Sequence, residues 1–152
     1  MTARRGVVTH RGAGGLAVLV LVAACLTRSG VVETFNATTP VSRFNIIGTL
    51  ASSDAGMDIR MMVQVREQLL KGGIKAVRTG GTFENVGAAV TELCGPAAAQ
   101  PIDGLLMVSY NDLVLYDCTT RKAAYEITSN SLGLQGLTDR LIHYLTRKEP
   151  AS

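Results

Sequence analysis

Apolar and polar positions divide this chain into segments of different period. Leu16–Cys25, LAVLVLVAAC, is an uncharged apolar run with Arg4, Arg5 and Arg11 ahead of it. Leu26–Val41 follows, with serine, glycine, asparagine, several threonines and Pro40 and little periodicity, and predicts a flexible tether. Ser42–Leu50 places Phe44 and Ile46 in alternation with Arg43 and Asn45 and predicts the first strand. The period changes over Met57–Lys71. Arg60, Gln64, Glu67 and Lys71 form one polar stripe, while Ile59, Met62, Val63, Leu69 and Leu70 cover much of the remainder, so this stretch predicts an amphipathic helix. Gly72-Gly73 supplies its stop.

Beyond the helix, Ile74–Arg78 predicts a short strand, Thr79–Thr82 a turn, and Phe83–Leu93 a second helix ending at Cys94-Gly95-Pro96. Asp103–Tyr110 is almost uninterruptedly apolar, as in a strand buried on both faces. Asn111-Asp112 suits a two-residue hairpin turn, since both residue types tolerate positive φ. That turn sets Tyr110 against Leu113 and brings Leu105 opposite Cys118. Leu113–Cys118 and Ala123–Thr128 complete an antiparallel meander, and Leu134, Leu137, Leu141 and Leu145 mark one face of a last helix over Leu134–Arg147. The order β-α-β-α-β-β-β-α predicts a single α/β domain over residues 42–152 with a mixed sheet.

The apolar run at the start changes the setting. Arg11 and Arg28 bracket sixteen residues, three of them glycine, whereas a spanning helix needs about 20 apolar residues. A basic segment, a short apolar core and small residues before a cut define an export signal, here residues 1–24. Val22-Ala23-Ala24-Cys25 resembles the lipobox of bacterial lipoproteins. The resemblance implies that the Cys25 thiol carries diacylglycerol, that the signal is cut before it, and that residues 25–41 tether the domain to a membrane. Several acyl chains hold such an anchor stably, each buried methylene contributing about 0.8 kcal/mol. The implied location is the cell envelope. Leu26, where an aspartate often favours inner-membrane retention, points to an outer membrane facing the periplasm in a Gram-negative cell, and otherwise the outer face of the cell membrane is implied.

Removing the signal also removes three arginines, which leaves twelve basic residues against twelve acidic ones. The formal charge of +3 therefore carries no nucleic-acid footprint. With Cys25 assigned to lipid, Cys94 and Cys118 remain, and an even remainder in an exported chain suggests a disulfide. The hairpin register places Cys118 near the start of the strand into which the connector after Cys94 leads, so both cysteines belong to one end of the sheet.

Chemistry-bearing motifs are sparse. Arg78, Gly80, Gly81 and Thr82 lie in a turn between a strand and a helix start, where backbone amides can receive an anion, although the phosphate-loop pattern and its lysine are missing. Asp54 and Asp58 near the first helix start suit the helix dipole. Cys118 and Ser109 lack the neighbours a nucleophile needs, and His143 is a lone residue on an amphipathic helix. The chain is accordingly expected to be non-enzymatic, without metal or cofactor. Its element order looks like that of the small α/β domain in penicillin-binding-protein activator and curli-secretion lipoproteins, a likeness of topology and anchoring only. The expected role is a lipid-anchored module that binds or helps assemble another envelope protein. The alternative is a small-ligand or anion-binding sensor or carrier using the 78–82 loop.

Overall fold

The computed structural model describes residues 30–52 and 59–148. The signal, Cys25, Asp54, Asp58 and the start of the first helix lie outside them. Among the described residues, no helix is long and apolar enough to cross a membrane.

Six strands form one mixed sheet: β1 (Val31–Phe35), β2 (Ile46–Ala51), β3 (Lys75–Arg78), β4 (Gly104–Val108), β5 (Asp112–Asp117) and β6 (Lys122–Ser129). Their spatial order is β1-β6-β5-β4-β2-β3. Strands β2, β3 and β4 run parallel, joined through α1 (Ile59–Lys71) and α2 (Val86–Leu93), while β4, β5, β6 and β1 pair antiparallel. The last helix, α3 (Gly133–Thr146), joins α1 on one face of the sheet. The core between them holds Ile47, Val65, Leu69, Leu106, Leu115, Ile127, Leu137 and Leu141. On the other face, Ala89 and Val90 of α2 pack against Leu50, Leu105 and Met107. Strand β4 is buried on both faces, which explains its continuous apolar run.

The α/β class and mixed sheet are as the pattern predicts, with one strand added. Residues 31–41 are not tether. Val31–Phe35 pairs with β6 from Val31↔Ser129 to Phe35↔Tyr125. Val31 is buried, and Glu33 accepts a 2.7 Å hydrogen bond from the Tyr125 hydroxyl. Composition misleads here because only one face of an edge strand needs apolar residues. The domain therefore includes residues 30–41. The expected strand over 42–50 is shortened as well, because Val41–Arg43 makes a 3-10 turn that presents Phe44 to the core. Gly104 faces that ring closely enough that a Cβ there would come within 2.8 Å of it. Helix α2 starts three residues later than Phe83, at a cap where Asn85 accepts from the Ala88 amide.

The β4–β5 hairpin corrects a register. Val108 pairs with Leu113 and Leu105 with Tyr116, and Ser109 donates its amide to the Asp112 carbonyl, so the turn residues are Tyr110 and Asn111. The Ser109 hydroxyl also bonds the Asp112 carboxylate and carbonyl, which favours this register. A slip of two leaves every side chain on its expected face. Cys118 then stands opposite Asp103, donating its amide to that carbonyl. The bridge between Cys94 and Cys118 forms, with Cα atoms 4.9 Å apart. It joins α2 to the end of β5 and closes a loop that contributes on the order of 3 kcal/mol by restricting the unfolded chain.

Candidate functional site

Parallel strands position the site. The segment after β2 leads to α1 on one face, and the loop after β3 leads to α2 on the other. Connections that part to opposite faces leave a crevice beyond the strand C-termini, a recurrent ligand position in α/β sheets. Here it is a crevice of about 250 Å³ between β2, β3 and α1.

Its floor is fixed by two threonines. Thr79 donates both its amide and its hydroxyl to the Thr49 carbonyl, at 3.1 and 2.9 Å, and the Thr49 hydroxyl donates to the Val77 carbonyl. One wall is apolar, formed by Leu50, Ile59, Met62 and Val63, and the other is the Arg78–Gly81 backbone. Gly81 has φ +128°, and a Cβ on it would lie 2.6 Å from the Phe83 ring, so the loop requires glycine there. Arg78 lines the crevice from the end of β3 and Arg66 from the second turn of α1. No acidic side chain is among the described lining residues.

The structure places Arg78, Gly80 and Gly81 in one crevice. Thr82 faces a separate cavity of about 450 Å³ on the α2 side, together with Phe83, Glu84 and Asn85. Arg66 was missed. Its signal was present, because Ile59, Met62, Val63 and Arg66 share helical spacing, and a charged residue in line with an apolar face needs a reason. A third cavity shares Arg78 and Gly80 but is also lined by Glu92.

The other candidates have structural positions. Cys118 is bridged, His143 is exposed on α3, and Ser109 closes the hairpin. Among the described residues, no three His, Cys, Asp or Glu side chains gather as metal ligands. The most shifted tyrosine, Tyr125, sits away from the crevice: burial pushes its hydroxyl up, and the hydrogen bond to Glu33 adds to this. The chain matches no protein-family model and no curated protein sequence.

Proposed function

We propose that this is a lipid-anchored, non-catalytic binding domain of the cell envelope whose working site is the crevice between β2 and β3. The observation that carries the reading is the pairing of Arg66 and Arg78 with an apolar wall and a glycine-rich backbone in that crevice. Two guanidiniums in a crevice whose described lining holds no acidic side chain suit an anionic group, for which arginine offers a planar set of donors. The anchor rests on the coincidence of Ala23-Ala24-Cys25 with the end of an apolar run. A second reading, docking of an envelope protein, is favoured by the sheet face that α2 leaves open, where Val114 and Tyr116 are only half-buried and Val32 is exposed.

Two measurements test the proposal. Titration calorimetry of the full chain in a non-ionic detergent should detect inorganic phosphate binding. Arg78→Gln should weaken it about tenfold or more, the loss expected for one charge-assisted hydrogen bond. Binding that is undetectable, or unchanged in Arg78→Gln, would remove the crevice from the proposal. Cys25→Ala should abolish incorporation of radioactive palmitate and cleavage at this point. A variant that labels and matures like the parent would end the anchor reading.

A further inference from the structure

The direction of the strands says which end of the domain the anchor holds. Val31, the first residue of β1, pairs with Ser129, the last residue of β6. Strand β6 is antiparallel to β5 and β5 to β4, so β6 runs in the same direction as β4, β2 and β3. The chain from Cys25 therefore enters at the end of the sheet where the parallel strands finish and the crevice opens. Six Cα steps separate Cys25 from Val31. Fully extended at roughly 3.3–3.6 Å per residue, they reach about 20 Å. The link is shorter than the sixteen-residue tether that composition predicts, so this end of the sheet stays within that reach of the bilayer.

The same end carries exposed apolar side chains. Six large ones are exposed among the described residues, and four of them, Val32, Ile59, Val86 and Tyr110, belong to it. Val32 is the second residue of β1, Ile59 and Val86 begin α1 and α2, and Tyr110 lies in the turn of the β4–β5 hairpin. Ile59 is the most exposed, at 64%, and also lines the crevice with Arg66 and Arg78. Phe35 and Leu70 sit at the opposite end, as do Arg121 and the Cys94–Cys118 bridge. Scattered apolar side chains need no explanation singly. Their gathering at the anchored end does.

We infer that this end of the domain docks on the bilayer to which Cys25 ties it, with Ile59, Val86 and Tyr110 in the interface and the Arg66–Arg78 crevice against the phosphates of an anionic phospholipid. The inference rests on the anchor reading and gives the crevice's anion a source. The arrangement has the chemistry of an interfacial site, in which apolar side chains enter the headgroup boundary by about 5–10 Å while cations meet lipid phosphate. Tyrosine suits that depth because its ring is apolar and its hydroxyl stays wet.

The test uses the acylated full chain in vesicles of phosphatidylglycerol and phosphatidylcholine. A bimane label is placed on one of four variants, Ile59→Cys, Val86→Cys, Leu70→Cys or Arg121→Cys, and quenched by phospholipid with a doxyl group near the headgroup. The bridged Cys94 and Cys118 do not compete for the label. Labels at 59 and 86 should lose most of their fluorescence, whereas those at 70 and 121 keep theirs. Quenching at 86 should be substantially relieved in vesicles of phosphatidylcholine alone, and likewise by Arg66→Gln combined with Arg78→Gln. A chain that floats with the vesicles yet gives equal signals at all four positions overturns docking and leaves the anchor standing. Failure to float defeats the anchor reading and docking together. Quenching indifferent to both lipid charge and the double variant overturns the assignment of lipid phosphate to the crevice.

Discussion

Replacing Leu141 by alanine is expected to destabilise the protein by about 2–5 kcal/mol, the range for emptying a fully buried leucine site. Leu141 is fully buried, as is Leu137 one turn earlier, and both face the cluster that holds α1, α3 and the sheet together. Collapse of the site is restricted because its surroundings are fixed from several directions. Tyr144 stacks on Tyr125 at 4.5 Å, and Gln68 of α1 donates to the Asp139 carboxylate and the Gln135 carbonyl of α3. A domain of this size has about 5–15 kcal/mol of stability in total, so the loss is a large fraction of it. Urea denaturation of the full chain reads the effect directly, with His143→Ala on the exposed face of the same helix as comparison. If Leu141→Ala leaves the midpoint and slope where the parent has them, α3 does not close this core.

What the sequence disclosed follows from how many neighbours each pattern had to satisfy. Helix α3 and strand β4 were legible because their burial repeats along the chain, every third or fourth residue in one and at every residue in the other. Strand β1 was not. Its place depends on β6, some ninety residues away, and its inward side chains include Glu33, whose partner is Tyr125. The Cys94–Cys118 bridge was reached despite a register error of two residues, because a slip of two preserves the face and moves Cys118 only from Leu105 to Asp103. The Arg78–Gly81 half of the crevice is local and could be named. Arg66 belongs to it only through the packing of α1 across β2 and β3, a tertiary relation that periodicity hints at and topology decides.

Replacing Asp117 by asparagine should cost about 3 kcal/mol at neutral pH, and the cost should shrink in acid. Asp117 is fully buried at the end of β5. One carboxylate oxygen accepts the Thr119 amide at 2.8 Å, and the other accepts the Arg43 guanidinium and the Thr120 hydroxyl. It thereby fastens the β5–β6 turn to the 3-10 turn that seats Phe44. Breaking a buried pair costs about 3–5 kcal/mol, and the low end applies because Arg43 remains one-third exposed and can recover water. Burial alone pushes the Asp117 carboxyl up, but the Thr119 amide, the Arg43 guanidinium and the Thr120 hydroxyl outweigh it and hold the group below the usual carboxylate range. A carboxyl lowered on folding contributes stability that is fully present above its unfolded value and lost as pH falls through the folded one. The ordinary aspartate value is about 3.9, so the contribution holds at pH 6–7 and declines below about pH 4. Urea midpoints of the parent and of Asp117→Asn should therefore draw together over the interval below about pH 4. A gap between them that stays constant over that interval would mean that hydrogen-bond geometry, and not the ionised carboxylate, holds this turn.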